Sequence, residues 1–322
     1  MTQDVLLLAL APDEVPQDDL QAIAKAAPDY ELIVTGDRQR IEELAPRIGI
    51  AAGRVPPALL VEMPRLRWYQ QWGAGADWLL RHPEVQQLSF VLTSASGVHS
   101  IPISEHILAL LFAFARRLPV AFRAQQEGRW AAPDSDSLFE LADKTLLLLG
   151  VGAIGARTAQ VAAALDMHVI GVRRDPSRTE AGVGEMYAPD ALADLLPRAD
   201  FVVITIPLTP ETQALIGADE LARMKPSAIL INIGRGGTID QPALVDALTA
   251  KRIGGAGLDV FAEEPLPADS PLWGMDNVII TCHYSGRTPV YDARALAIFL
   301  DNLERFQRQA ALRNVVDKDL GY

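Results

Sequence analysis

The 322-residue sequence contains a single cysteine, Cys282. A disulfide within the chain is therefore impossible, which favours a reducing compartment such as the cytoplasm. The sequence also lacks a long run of Lys and Arg, and its formal net charge is −12. This balance argues against nucleic acid or an anionic membrane as a partner.

No apolar stretch reaches the roughly 20 residues that a membrane-spanning helix requires. The nearest approach, LALLFAF at 108–114, is followed by Arg116 and Arg117. The opening MTQDVLLLALAP predicts a strand rather than a signal peptide, because Asp4 interrupts it and no early Lys or Arg is present. Neither H-E-x-x-H nor G-x-S-x-G occurs, so we predict no metal site and exclude an ordinary serine hydrolase.

The sequence does contain an alternation of strand and helix patterns. Its 322 residues are enough for two domains, and 49% hydrophobic with 22% charged residues are typical of a globular protein. Strand-like apolar runs with helical patterns between them occur in the first hundred residues at 5–10, 31–35, 47–52, 66–72 and 89–94. Short connections between such elements predict a parallel α/β sheet.

A second series of strand patterns begins at KTLLLLG, whose continuous apolar run is typical of a strand buried on both faces. Its members lie at 144–150, 168–174, 201–207, 228–234, 254–260 and 277–282. A long helical pattern over 102–128 joins the two series and is apolar on more than one face, so we expect it to be buried under a domain or against another subunit. A last amphipathic pattern at 288–309 is expected to return to the first domain.

These patterns predict two Rossmann-like, doubly wound parallel-sheet domains with a cleft between them. We assign residues 1–98 and 288–322 to a discontinuous first domain, and residues 99–287 to a second domain.

The cofactor site is indicated by a strand, a G-x-G-x-x-G turn and a helical pattern in succession. The glycines are Gly150, Gly152 and Gly155, with Ala153 and Ile154 between the last two. Such glycines allow a tight turn, close approach of a pyrophosphate and close packing of helix on strand, and the helix start favours an anion.

Cofactor choice depends on the end of the next strand, where an acidic residue indicates NAD and Arg accommodates the 2′-phosphate of NADP. Arg173 and Arg174 stand at this point. Two guanidinium groups suit a phosphate, so we favour NADP. In the alternative, both arginines are solvated and Asp175 supplies an NAD-type carboxylate; Arg178 fits either arrangement.

Three ionisable residues, Arg235, Glu264 and His283, follow the glycine turn. A cation can hold a substrate carboxylate and polarise a ketone, an imidazole can deliver a proton, and a carboxylate hydrogen-bonded to imidazole favours its charged form. This combination suits the reduction of a 2-oxo acid. Glu263 competes with Glu264 for the carboxylate role.

The strings GVGAIG, INIGRGGTID, GLDVFAEEPLP and TCHYSG, in this order, resemble the D-isomer-specific 2-hydroxyacid dehydrogenases, in particular the glyoxylate/hydroxypyruvate reductase-like branch. The resemblance covers nearly the whole chain, and it implies that the first domain is the substrate domain and the second the dinucleotide-binding domain. It implies that Arg235 binds the substrate, that His283 is the proton donor, and that the carboxylate partner is Glu264, which directly precedes Pro265.

The resemblance also implies further site residues. Gly73, Ala74 and Gly75 correspond to a loop whose amides bind the substrate carboxylate. Asp259 corresponds to a contact with the nicotinamide amide, although a strand-end hydrogen bond is nearly as good an interpretation. The remaining cofactor contacts implied are Ile206, Pro207, Ile233 and Gly234. The family forms dimers through the cofactor domain, so we expect a homodimer.

One departure concerns Cys282, since many members have Pro before the histidine. On a strand over 277–282, Cys282 would face away from His283, which argues against a Cys/His nucleophile pair.

Other functions remain open at this stage. Phosphite oxidation on the same fold keeps the Glu-His pair and is not excluded, whereas formate dehydrogenases pair Gln with their histidine and are disfavoured. A nucleotide-sensing corepressor is a binding protein on this fold, and the complete triad argues against it. Glyoxylate and hydroxypyruvate are hypotheses for the 2-oxo acid, made by analogy with the family.

Overall fold

The computed structural model describes residues 3–321, and the chain divides into two compact units. The first lies within residues 1–98 and 288–322, and the second spans residues 99–287.

The first unit contains a five-stranded parallel sheet in the order β2-β1-β3-β4-β5. Its strands are β1 (Asp4–Ala9), β2 (Tyr30–Val34), β3 (Ile48–Gly53), β4 (Trp68–Gln71) and β5 (Val91–Thr93). Its first helices are α1 (Gln17–Ala26), α2 (Arg38–Leu44), α3 (Pro57–Leu60) and α4 (Pro83–Gln86), with 3₁₀ turns at Pro12–Glu14, Ala45–Arg47 and Asp77–Arg81. The strand order reverses between β1 and β3, as in doubly wound folds.

The second unit contains a seven-stranded parallel sheet in the order β12-β11-β10-β9-β6-β7-β8. Its strands are β6 (Thr145–Leu149), β7 (His168–Val172), β8 (Glu185–Tyr187), β9 (Phe201–Ile204), β10 (Ile229–Asn232), β11 (Gly255–Leu258) and β12 (Val278–Ile280). Its helices are α5 (Ser100–Ala115), α6 (Leu118–Gln126), α7 (Ala153–Ala163), α8 (Leu192–Leu195), α9 (Ala218–Arg223) and α10 (Gln241–Thr249), with 3₁₀ turns at Ser135–Ser137, Pro189–Ala191, Leu196–Arg198, Gly236–Thr238 and Pro271–Gly274. The order reverses between β6 and β9, which is the position where this fold binds nucleotides.

Continuous apolar strands explain why both sheets are covered on both faces. Leu6, Leu7 and Leu8 in β1 and Leu147 and Leu148 in β6 are 0% exposed. Neighbouring residues of a strand point to opposite faces, so both faces must be packed. The predicted α/β class with two Rossmann-like parallel sheets is confirmed.

The long helical pattern predicted over 102–128 forms two helices rather than one. Arg117, between α5 and α6, has a φ of 54°, and Pro119 lies in the first turn of α6. Proline disfavours a helical conformation in the residue before it and cannot donate the backbone bond of a continuous helix. The helical pattern is therefore interrupted at Arg116 and Arg117.

The last helix, α11 (Tyr291–Gln307), packs in the first unit, as its amphipathic pattern predicted. Phe299 stacks on Trp68 with ring centroids 5.4 Å apart. The buried amide of Asn302 donates to Gln70 Oε1 at 3.1 Å. Within residues 3–321, no helix is both long and apolar enough to cross a membrane.

Candidate active site

The glycine turn between β6 and α7 is closed on one side by backbone packing. Gly150 has a φ of +99°, and a Cβ there would lie 2.8 Å from the Ile206 side chain. A Cβ on Gly155 would lie 2.2 Å from the Gly150 carbonyl oxygen. At Gly152, by contrast, a Cβ would meet no atom within 4 Å. The turn is therefore open at Gly152, where a ligand can approach the backbone.

The start of α7 provides the electrostatic part of this site. Gly152 is the N-cap residue, and the helix begins at Ala153 and Ile154. Amides in the first turn of a helix lack carbonyl partners within the helix, and the helix dipole places positive charge there. These residues fit the pyrophosphate of a dinucleotide.

Thr205 holds the turn in place, a contact that the sequence patterns did not predict. Its hydroxyl donates to the carbonyl oxygen of Gly150 at 2.7 Å. Thr205 immediately follows β9 and precedes the predicted cofactor residues Ile206 and Pro207. The glycine turn and the loop after β9 are thereby fixed to each other.

The two arginines after β7 occupy different environments. Arg173 forms an ion pair with Glu180 at 3.1 Å, and its side chain is only 16% exposed. Arg174 is exposed. The pKa of the Glu211 carboxyl is lowered, first by a hydrogen bond from Thr209 and also by the charge of Arg174. The predicted phosphate fork is therefore not a pair of equivalent cations.

Asp175, the alternative NAD-type carboxylate, is engaged within its own turn. Its Oδ1 accepts hydrogen bonds from the Ser177 hydroxyl at 2.6 Å and from the Ser177 amide at 3.2 Å. These bonds are the main cause of a lowered Asp175 pKa, and the charges of Arg178 and Arg173 add to the effect.

The backbone around Arg235 is held by two buried residues that sequence reasoning missed. The Arg235 carbonyl accepts hydrogen bonds from the Thr238 hydroxyl at 2.7 Å and from the Asn232 amide at 3.0 Å. Asn232 Oδ1 in turn accepts from the Gly234 amide at 3.0 Å. Ile233, between them, is 5% exposed. We call Asn232 and Thr238 the clamp of Arg235. The sequence signal that could have identified the clamp is the presence of polar residues at the end of an apolar strand, as in INIGRGGT.

Glu264 and His283 are in direct contact. His283 Nδ1 donates to Glu264 Oε2 at 2.7 Å, and Glu264 Oε1 accepts from the Phe261 amide at 3.0 Å. The two side chains are 36% (Glu264) and 50% (His283) exposed. Because the carboxylate only accepts, the hydrogen lies on Nδ1, and Nε2 is the nitrogen left for a reacting group. Glu263, the competing candidate, is exposed.

His283 lies in a loop and not on a strand. The predicted strand 277–282 ends at Ile280 as β12, and His283 has a φ of 50°. The His283 amide donates to the Asp259 carbonyl at 2.8 Å. The strand-alternation argument about Cys282 was therefore wrong in its premise, and Cys282 is exposed.

Asp259 is completely buried and anchors the His283 loop. Its carboxylate accepts from the Thr281 hydroxyl at 2.6 Å and from the amides of Tyr284 and Ser285, each at 3.1 Å. Burial works to raise the pKa of Asp259, but the hydrogen bonds from Ser285, Thr281 and the backbone outweigh it, so the pKa is lowered. The strand-end hydrogen bonds considered for this residue are present.

His99 is a further titratable group close to Arg235. Its Nδ1 lies 3.1 Å from the carbonyl oxygen of Gly286. Burial lowers the pKa of His99; the charge of Arg235 lowers it further, while the bond to Gly286 opposes the shift.

The predicted carboxylate-binding loop, Gly73, Ala74 and Gly75, belongs to the first unit. Gln71 Nε2 donates to the carbonyl oxygens of Gly73 at 3.0 Å and Gly75 at 2.8 Å. The Trp78 indole donates to Gln71 Oε1 at 2.8 Å. Gln71, which sequence reasoning missed, thus uses the loop carbonyls to fix the loop conformation.

Metal ligands are not grouped in the described part of the chain. Among residues 3–321, no cluster of three or more His, Cys, Asp or Glu side chains is placed to hold an ion.

The chain is similar to known proteins in both sequence and fold. Residues 108–285 match the family model "D-isomer specific 2-hydroxyacid dehydrogenase, NAD binding domain". Glyoxylate reductase of Korarchaeum cryptofilum is 32% identical over 302 residues, with 92% of this chain and 88% of the relative covered. Glyoxylate/hydroxypyruvate reductase B of Pectobacterium carotovorum is 38% identical over 259 residues, with 79% of each chain covered.

Among solved structures, the NADPH-dependent glyoxylate/hydroxypyruvate reductase of Sinorhizobium meliloti, in complex with NADP and sulfate, superposes with a TM-score of 0.83. It is 30% identical, and the match covers 100% of both chains.

Proposed function

Since this chain belongs to the D-isomer-specific 2-hydroxyacid dehydrogenase family and uses NAD(P), we propose that it reversibly reduces a small 2-oxo acid to a (D)-2-hydroxy acid. The contact that carries the proposal is the 2.7 Å hydrogen bond between His283 and Glu264. The names of the relatives make glyoxylate and hydroxypyruvate the first candidates as substrates.

The proposed proton donor is His283. With Nδ1 held by Glu264, Nε2 delivers the proton to the carbonyl oxygen as that oxygen gains negative charge. The Glu264 carboxylate orients the ring and stabilises its positive charge before the transfer. The bound nicotinamide supplies the hydride to the carbonyl carbon.

Arg235 is proposed to bind the substrate carboxylate and to polarise the keto group. A planar guanidinium offers several donors in a fixed geometry, which suits a carboxylate better than an ammonium does. The clamp of Asn232 and Thr238 supports this role, because it fixes the backbone from which the side chain extends. On the motif match alone, we assign the amides of Gly73, Ala74 and Gly75 to the same carboxylate.

We further propose that NADP is preferred over NAD. Support comes from Asp175, whose carboxylate already accepts two hydrogen bonds from Ser177, and from the exposed cation Arg174 beside it. The Sinorhizobium meliloti relative is NADPH-dependent.

A homodimer through the second unit is also proposed. Apolar residues of α5 and α6 are exposed in the single chain: Ile101 is 39%, Phe112 41% and Phe122 59% exposed. These three side chains lie on two consecutive helices, and exposed apolar patches are typical of interaction surfaces. Light scattering coupled to size-exclusion chromatography gives the mass, and a monomer at micromolar concentration would contradict this proposal.

The cytoplasm is the proposed compartment, as the single cysteine favours. Fractionation of the source cells tests this location.

The reaction is tested by following NADPH and then NADH absorbance with glyoxylate, hydroxypyruvate, pyruvate, 2-oxoisocaproate and phenylpyruvate. Chiral analysis is applied to the products of the last four acids, because glycolate, the product from glyoxylate, is achiral. We expect oxidation of NADPH and a (D)-product. Cofactor binding without turnover of any 2-oxo acid would contradict the proposal. In that case, phosphite is added together with oxidised NADP. Reduction of the NADP would indicate a phosphite dehydrogenase, and no reduction would indicate a corepressor-like binding protein.

A further inference from the structure

A chain of hydrogen bonds connects helix α5 to the loop of His283. His106 Nε2, on α5, lies 3.1 Å from Thr281 Oγ1. Thr281 Oγ1 lies 2.6 Å from Asp259 Oδ1, to which it donates. These two hydrogen bonds thus connect helix α5 to Asp259, the residue that anchors the loop of the proposed proton donor.

The number of protons on each group determines which group donates in each of these hydrogen bonds. The carboxylate of Asp259 only accepts, so the single hydroxyl proton of Thr281 is used there. The Thr281 oxygen must then accept from His106, which places the hydrogen on Nε2. Burial is the larger influence on His106 and lowers its pKa, while the Asp259 charge opposes the shift. A neutral ring with Nε2–H satisfies every bond in the chain.

His106 contacts the same loop at a second point. Its ring meets the ring of Tyr284 edge-on, with centroids 5.5 Å apart. Thr281 and Tyr284 lie on either side of His283 in the sequence. One histidine therefore contacts the loop both before and after the proposed donor.

The loop needs such support because of its backbone conformation. His283 has a φ of 50°, a region that costs energy for residues other than glycine. The carbonyl of Asp259 accepts from the His283 amide at 2.8 Å. The orientation of Asp259 therefore bears directly on the position of the imidazole.

We propose that His106 and Thr281 are positioning residues, which act through Asp259 to hold His283 in the geometry for proton transfer. This inference rests on the proposed function of His283. Neither His106 nor Thr281 touches the reacting atoms in this proposal. A small displacement of a catalytic group is enough to slow a reaction by orders of magnitude.

Thr281 offers a matched pair of variants. Thr281→Val removes the hydroxyl at nearly constant volume, and Thr281→Ser keeps it. We expect Thr281→Val to lower kcat by roughly thirtyfold with KM and the NADPH Kd within about twofold, and Thr281→Ser to stay within about threefold of the native kcat. Equal kcat values for the Val and Ser variants would overturn the proposal.

His106 provides a second pair. His106→Gln places an amide donor near the position of Nε2–H, and His106→Leu removes the donor. The Gln variant should retain at least several times the kcat of the Leu variant. The reverse order, in proteins with equal thermal midpoints, would contradict the proposed role.

The His283→Ala background separates positioning from general destabilisation. Residues that act through one group have non-additive effects. In single-turnover assays we expect Thr281→Val to slow the native enzyme by roughly thirtyfold but the His283→Ala enzyme by less than about threefold. An equal loss in both backgrounds would refute positioning of His283.

The same assays distinguish the two proposals. Native turnover by His283→Ala would refute the proposed proton donor itself. A strong loss in His283→Ala together with a harmless Thr281→Val would leave the proposed function standing and refute only the positioning role.

Discussion

A Cβ on Gly236 would lie 1.9 Å from both the carbonyl carbon and the carbonyl oxygen of Phe261. The loop that carries Arg235 is therefore in backbone contact with the loop that carries Glu264. A side chain cannot enter this space unless one of the two backbones moves. A glycine thus sets the relative placement of the loops that carry Arg235, the proposed substrate-binding cation, and Glu264, the proposed carboxylate partner of His283.

Gly236→Ala should impair catalysis more than folding. Displacement of either loop by about 1 Å is expected to lower kcat/KM by roughly a hundredfold. Steady-state kinetics with the best 2-oxo acid and a thermal melt measure the two effects. Gly274→Ala is the matched control, since a Cβ at Gly274 meets no atom within 4 Å. Similar kinetics for both variants would show that the loop contact has no influence on the reaction.

Glu264→Gln should lower kcat by roughly ten- to a hundredfold. The variant can keep a hydrogen bond to the imidazole but loses the charge that stabilises the protonated ring. Glu263→Gln controls for the loss of one negative charge in the same loop, because Glu263 is exposed beside it. If the two variants reduced kcat equally, the assignment of the carboxylate to Glu264 would be incorrect.

Arg174→Ser should raise the Kd of NADPH by roughly tenfold and leave that of NADH nearly unchanged, because a charge-assisted bond to phosphate is removed. Fluorescence titration with each nucleotide measures both constants. Arg223→Ser removes an exposed arginine at the end of α9 and serves as the control. Equal weakening of both nucleotides by Arg174→Ser would contradict recognition of the 2′-phosphate.

Stability should decrease as the pH falls below about 6.5, the ordinary pKa of histidine. Burial lowers the pKa of His99 and of His106 in the folded protein. At a pH between the folded and the unfolded pKa of these histidines, the unfolded chain binds more protons than the folded protein. The free energy of unfolding is therefore highest at a pH above the unfolded pKa, and it declines as the pH falls towards the folded pKa. Above about pH 6.5, these two histidines do not contribute to the dependence of the free energy of unfolding on pH.

Thermal melts between pH 7.5 and 5.5 test this dependence. The double variant His99→Gln, His106→Gln should show a smaller decrease in melting temperature than the native protein over this range. His168→Gln, at an exposed position at the start of β7, should retain the native slope. An unchanged slope in the double variant would rule out these two histidines as its source.

Much of the fold could be predicted because its determinants are local. Apolar runs such as VLLLAL specify buried strands, and the strand-glycine-helix succession locates the turn at Gly150. Glu264 could be chosen over Glu263 only through the motif that places it before Pro265. The contact of Glu264 with His283, 19 residues away, agrees with that choice.

Other features depend on individual contacts that the hydrophobic pattern does not encode. The pairing of Arg173 with Glu180 and the bond from Thr205 to Gly150 leave no periodic signal in the sequence. The end of β12 at Ile280 was missed because the strand-like pattern NVIITC continues to residue 282. In the structure, Asp259, which follows β11, accepts hydrogen bonds from Thr281, Tyr284 and Ser285 in a loop instead. Hydrogen-bond geometry, rather than hydrophobic pattern, decides these positions.

The exposure of Cys282 has a practical consequence. It is the only thiol in the chain, and it precedes His283 directly. A maleimide dye would attach at one known position per polypeptide, without prior mutagenesis to remove competing thiols. Its emission would report ligand-dependent changes around the imidazole, so the natural sequence already contains an attachment point for a fluorescence assay of this loop.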